Sequence, residues 1–279
     1  MRLEEQSALV RDAVTAEYAE VVVFITELGG TTALMLVLAV LFWWSSRRRS
    51  ALVISYAVAG LALMLSLKTL FALPRPPADA MLVALEDERT GYGFPSGHAF
   101  AAAVVYGGLV SAYDRTGDRR ALLTAGTLVV LVSLSRVVLG VHYLGDVIVG
   151  AVLGVAFLVA MDRLTGGDPT IGFAVAFVLS IPAVVIAAGT TDSLLGLGGS
   201  IGGLLGSRRL SALPELRSRL EGLVLFLVGG GFVAVVQAAE SAVEAVEPLL
   251  VVLYAILVAS ILLAPAAVGR LEVDALESR

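Results

Sequence analysis

No cysteine occurs anywhere in the chain. That excludes a disulfide framework and a thiolate metal site. Lysine is nearly absent: Lys68 is the single lysine among 19 basic residues, and the rest are arginine. Histidine occurs only twice, as His98 and His142. Charge is scarce overall, at 15% of residues, where a soluble domain carries about 25%. With 58% hydrophobic residues and a mean hydropathy of +0.93, the chain does not read as a soluble domain. Its apolar runs approach the ~20 residues that cross hydrocarbon as a helix. The expected fold class is all-α, a polytopic membrane helical bundle. The first residues carry Glu4, Glu5, Asp12 and Glu17 and no apolar h-region, so no signal peptide is expected.

Taken in order, residues 3 to 20 place apolar positions at helical spacing among polar ones. They predict an amphipathic helix at the membrane surface, or a tilted one continuing toward residue 28. Spans follow at 29–45, 51–70, 97–113, 121–139 and 146–161. Trp43 and Trp44 suit an interfacial belt before Arg47-Arg48-Arg49. Residues 71 to 94 form a loop with Pro74, Pro76, Pro77 and the acidic cluster Glu86-Asp87-Glu88, which is read as solvated. Arginines then alternate: Arg47–Arg49, Arg115–Arg120 and Arg163 share one side, and the proline-rich loop and His142 share the other. The positive-inside rule puts the second side outside the cell.

The remainder predicts spans at 170–189, 193–206, 222–239 and 249–268, which brings the total to about nine. Arg208, Arg209, Arg217 and Arg219 mark an inner loop, and Glu240, Glu244 and Glu247 an outer one. Gly198, Gly202 and Gly206 recur every fourth residue, as do Gly199 and Gly203, a spacing that lets helices approach closely. Three regions are expected: an N-terminal helix over 1–28, a core over 29–165 and a C-terminal bundle over 166–279.

Ionisable residues at the ends of apolar spans are expensive, so each is a functional candidate. Arg136, His142 and Asp146 sit at one crossing. His142 and Asp146 are four apart, one helical turn, so the carboxylate can accept the imidazole Nδ1 proton and leave Nε2 to attack an electrophile. Arg136 brings a planar fork for phosphate oxygens. Taken alone, this trio also fits a helix-capping aspartate and an interfacial histidine. Pro95-Ser96-Gly97-His98 opens a span, with Ser96 as its N-cap candidate. Backbone N–H groups there, a hydroxyl and a glycine make a phosphate cradle, and His98 can donate a proton. The bland alternative is a capped helix start. Lys68 and Arg75 are cations at the same end; the bland alternative is a snorkelling lysine and a loop arginine.

The three stretches together, K-x6-R-P (68–76), P-S-G-H (95–98) and S-R-x5-H-x3-D (135–146), resemble the signature of the type 2 phosphatidic acid phosphatase (PAP2) superfamily at every fixed position. That superfamily includes membrane lipid phosphatases, polyprenyl-diphosphate phosphatases, glucose-6-phosphatase and vanadium haloperoxidases. The resemblance covers residues of about 29 to 162. It implies a six-span helical core and a phosphoric monoester hydrolase or diphosphatase. His142 would be the nucleophile, forming a phosphohistidine. Asp146 would orient it, and His98 would be the general acid. Lys68, Arg75, Ser96, Gly97 and Arg136 would hold the phosphoryl group. No metal and no other cofactor is expected, because the crossings hold few carboxylates.

The substrate expected is a lipid phosphate in the bilayer, such as a polyprenyl diphosphate or phosphatidic acid, at the outer face of the cell membrane. A soluble sugar phosphate is the alternative. No nucleic-acid partner is expected, and the glycine spacing admits a homo-oligomer. Two competing classes are a lipid flippase or transporter and a catalytically silent scaffold. The C-terminal spans carry no ionisable residue in their interiors, which disfavours transport. His98, His142 and Asp146 are all intact, which disfavours a silent scaffold.

Overall fold

The computed structural model describes residues 2–83, 91–214, 218–243 and 246–269, apart from the side chains of 219, 237 and 241. The acidic cluster Glu86–Glu88, Arg217 and Glu244 lie outside the described residues. The described elements are helical: α1 (Glu4–Asp12), α2 (Ala19–Glu27), α3 (Thr31–Trp44), α4 (Arg47–Phe71), α5 (Gly97–Ala112), α6 (Arg119–Val138), α7 (Leu144–Thr165), α8 (Pro169–Ile186), α9 (Thr191–Ser207), α10 (Arg219–Val243) and α11 (Glu247–Val268).

Six of these are long and apolar enough to cross a membrane: α4, α6, α7, α8, α10 and α11. The expected nine shrink for physical reasons. The run at 29–45 yields α3, which meets the preceding helix at a 49° bend, so the pair Ala16–Glu27 and Thr31–Trp44 makes at most one further span. α5 has 16 residues and α9 has 17, short of the ~20 that hydrocarbon thickness asks for.

The chain forms two compact units, and the division falls within α3 and α4 and near the end of α7. One unit comprises Met1–Met35 and Leu63–Arg163; the other comprises Leu36–Ala62 and Leu164–Arg279.

In the first unit α5, α2 and α1 all pack on α6. Asp118 caps α6, accepting from the N–H of Arg120 at 2.9 Å. α6 closes in a Schellman motif. Val141 N–H returns to Arg136 C=O at 3.2 Å, and Gly140 N–H to Val137 C=O at 3.0 Å. Gly140 has φ +72°, and a Cβ there would overlap the Ala80 carbonyl, so only glycine fits on both counts. Val138, Leu139 and Val141 form a core with Val22, against which Val10 of α1 packs. Val10 also reaches the cluster of Ala99, Val137 and Val147. α1 thus touches the unit's core through Val10, while Leu9 stays exposed. Gly150 and Gly154 of α7 face the backbone at Ser96 and Phe100, which brings α7 against the start of α5. The opposite face of α7 presents Ile148, Val152, Val155 and Val159, all exposed, at the spacing of one helical stripe.

In the second unit Trp43 is 1% exposed, and its Nε1 donates to Ile261 C=O at 3.0 Å. The interfacial role expected of the Trp pair therefore falls to Trp44 alone, which is 42% exposed. The indole packs against Gly229, whose missing side chain leaves room for the ring. The glycines of α9 serve more than one neighbour. Gly198, Gly202 and Gly206 face α11 at Val251, Ala255 and Leu262, and Gly203 faces the Phe173 ring on α8. The stripe that could have served an oligomer is covered within the chain.

Gly202→Val is expected to lower the melting temperature in detergent sharply, because the new Cβ would overlap the Ala255 carbonyl. Gly230→Ala in α10, where a Cβ meets nothing within 4 Å, should leave it unchanged or raise it, alanine being favoured by about 1 kcal/mol in a helix. Circular-dichroism melts of the two variants check this.

Candidate active site

The α6–α7 turn builds the centre of the site. The Schellman closure turns the chain after Val138, so Arg136 C=O also accepts from His142 N–H at 3.3 Å. His142 lies before α7 rather than on it, since α7 begins at Leu144. The helical i,i+4 geometry expected from the sequence is therefore replaced by a turn. The outcome is close to the same: His142 Nδ1 stands 3.6 Å from Asp146 Oδ2. That separation is slightly beyond a hydrogen bond. Asp146, in the first turn of α7, accepts from the Tyr143 N–H at 3.0 Å, the reciprocal half of a capping box. A carboxylate there also faces the positive end of the helix dipole. Both side chains are buried, at 1% and 0% exposure.

Ser96 takes the N-cap position of α5, but its hydroxyl makes no capping bond. Its N–H instead donates to Asp146 C=O at 3.0 Å, which fastens the start of α5 to the start of α7. The Oγ is buried and has no hydrogen-bond partner among the described residues. Beside it, the open side of Gly97 faces Lys68, whose Nζ lies 3.7 Å from where a Cβ would stand. Arg75 donates to Val141 C=O at 3.4 Å, next to His142. His98 lies in the first turn of α5, and its imidazole faces Gly30, as does the Glu27 carboxylate. Arg136 is 2% exposed and donates to Thr26 Oγ1 at 3.1 Å. All eight sequence-predicted residues thus lie in one unit, and their chain positions are the ends of α4, α5, α6 and α7.

Three contributors escaped the sequence reading, and all come from the N-terminal segment. Arg2 grips Asp146 with two bonds, Nε to Oδ1 at 2.8 Å and Nη2 to Oδ2 at 2.7 Å. Ser7 Oγ accepts from the Leu144 N–H at 2.8 Å. Thr26 meets Arg136 as above. Each is a single residue in a polar or unremarkable context, far along the chain from its partner, and no spacing pattern marks it. Among the described residues no three His, Asp or Glu side chains gather so as to hold a metal ion.

Burial pushes the His142 imidazole down to about 3, and the positive charges of Arg136, Lys68 and Arg75 push the same way, against the neighbouring Asp146. The ring is therefore neutral near pH 7, with a lone pair on one nitrogen.

Comparison with known proteins gives two findings. Residues 50–166 match the family model described as the PAP2 superfamily. The chain is also similar to the crystal structure of a transmembrane PAP2 type phosphatidylglycerolphosphate phosphatase from Bacillus subtilis, at 26% identity and a TM-score of 0.48, covering 58% of this chain and 85% of that one. No curated protein matches the chain.

A lowered histidine pKa has a sign. The folded protein resists a proton that the unfolded chain accepts below about 6.5, so stability is full above that value and falls as pH drops from 6.5 toward 3. The wild type should lose more melting temperature between pH 7 and pH 4 in detergent than His142→Gln does.

Proposed function

We propose that the chain, an integral-membrane phosphatase whose residues 50–166 match the PAP2 superfamily, hydrolyses a lipid phosphate or diphosphate through a phosphohistidine at the outer face of the cell membrane. The observation that carries this reading is the buried His142, its Nδ1 facing Asp146, with Arg136, Lys68 and Arg75 around it. Nε2 attacks phosphorus, and the P–O bond to the leaving group breaks. His98 gives its proton to the departing oxygen. The N-phosphoimidazolium is positive, and Asp146 at its Nδ1 side balances that charge. Water then attacks phosphorus, the P–N bond breaks, and His98 recovers a proton from the water. Lys68, Arg75 and Arg136, with the Ser96 hydroxyl and the N–H groups opening α5, bind the phosphoryl oxygens and counter the charge that grows in the transition state.

Substrate class follows from position. The site residues occupy helix ends, whereas α6 and α7 present apolar, exposed faces along their lengths. A headgroup can reach the cations while its chains stay in hydrocarbon. Polyprenyl diphosphates and phosphatidic acid fit that description. The facing rests on charge. Arg115, Arg119 and Arg120 cluster before or at the start of α6, and the site lies beyond its end, about 30 Å away for a helix of 20 residues. Arg163 lies at the far end of α7 in the same sense. Arginines retained on the cytoplasmic side leave the site outside.

Purified protein in detergent with EDTA should release phosphate from farnesyl diphosphate or phosphatidic acid in preference to a sugar phosphate. His142→Ala should lower the rate by at least about 10³-fold. Preference for the sugar phosphate would overturn the lipid assignment. No release from folded protein would favour a scaffold or transporter.

The cysteine-free chain allows a direct test of facing. Asp79→Cys, at an exposed position in the loop after α4, should react with a membrane-impermeant maleimide on intact cells, and Gly117→Cys should react only after lysis. The reverse pattern would overturn the outward site.

A further inference from the structure

We propose that Arg2 is a positioning residue for the reaction, acting through Asp146; this rests on the phosphatase reading above. The carboxylate has two tasks in that reading, to stay charged and to stay aimed at His142 Nδ1. Its own helix supplies little toward the second, for the Tyr143 N–H is the one backbone donor it meets among the described residues. The Arg2 guanidinium supplies the rest. Its bidentate grip fixes both oxygens in one plane, a geometry a lysine cannot copy. Oδ2, the oxygen nearest His142, takes one of the two bonds.

Arg2 is itself held on every side. Its third nitrogen donates to Pro74 C=O at 2.7 Å, beside Arg75. Its Cζ lies 4.5 Å from the centre of the Tyr143 ring, a cation–π contact. Its backbone carbonyl accepts from the Gly145 N–H at 3.0 Å. A Cβ at Gly145 would stand 2.9 Å from Arg2 backbone atoms, so the glycine leaves room for the strand of chain that carries the clamp. Further along that segment, Ser7 is tied to the Leu144 N–H. The guanidinium is 16% exposed and the carboxylate fully buried, which makes Arg2 the group that offsets a buried charge.

All three guanidinium nitrogens of Arg2 bond protein groups, so the loss of the clamp should lower kcat and leave KM alone. Arg2→Ala is expected to lower kcat by about 10- to 100-fold, the usual cost of an outer partner to a reacting centre, with KM within about twofold. Arg2→Lys should recover part of that loss. Guanidinium at about 50 mM, far below the molar range that unfolds proteins, should restore Arg2→Ala and do nothing for Asp146→Asn. In an Asp146→Asn background, Arg2→Ala should cost less than about twofold, because its route of action is gone. Arg11→Ala on α1 is the control and should match the wild type.

Loss of wild-type phosphate release in His142→Ala reports on the underlying reading, and the ratio of Arg2→Ala to wild type reports on the clamp alone. The proposal is overturned if Arg2→Ala keeps its kcat, if its effect multiplies in full with Asp146→Asn, or if KM rises while kcat holds. Should Arg2→Ala fail to fold, Arg2→Lys replaces it in the same cycle, with the same outcomes deciding. A wild type that releases no phosphate overturns the reading and the clamp's role with it.

Discussion

One carboxylate, that of Asp146, organises the first unit. It is fully buried, and a buried charge is tolerated only when its partners are close and well aimed. Its oxygens take two bonds from Arg2 and one from the Tyr143 N–H, and they face His142. Its backbone carbonyl takes the Ser96 N–H. Through these bonds the N-terminal segment, the α6–α7 turn and the opening of α5 meet at one residue, and Arg2 extends the reach to Pro74. A single anion thus ties together segments that lie far apart along the chain.

Much of the site was legible in the sequence because polar groups are so costly in hydrocarbon. In a chain with one lysine and two histidines, each of these residues stands out against the apolar background. The same economy explains what stayed hidden. Arg2, Ser7 and Thr26 lie where polar residues are ordinary or unmarked, so their presence carries no signal. Their partners lie 144, 137 and 110 residues away, distances over which no periodicity connects two positions. The relation of His142 to Asp146 was legible as a pairing but not as a geometry. The helix that would have carried both begins two residues later, because Gly140 and the Schellman closure place a turn there.

The fold shows the same division. Long apolar helices follow from hydropathy, and α4, α6, α7, α8, α10 and α11 all form. Close approach at the α9 glycines follows from their spacing, but the identity of the neighbours does not: Gly198, Gly202 and Gly206 meet α11, whereas Gly203 meets α8. Trp43 shows the limit most plainly. A tryptophan before an arginine run suits a membrane boundary, yet its indole turns inward to Ile261. Sequence neighbours describe the boundary, and only packing reveals the better partner.

The bond between Arg2 and Asp146 spans 144 residues of chain. All of α1 to α6 lie between its two ends. Closing so long a loop is an entropic cost recovered only after the intervening helices have formed and docked. Along the chain Arg2 precedes its partner at the head of α7 by all of these helices. The carboxylate thus acquires its counter-charge as one of the final events of assembly. An unfinished unit leaves that carboxylate without its clamp, so the geometry around His142 is set only when the unit is whole.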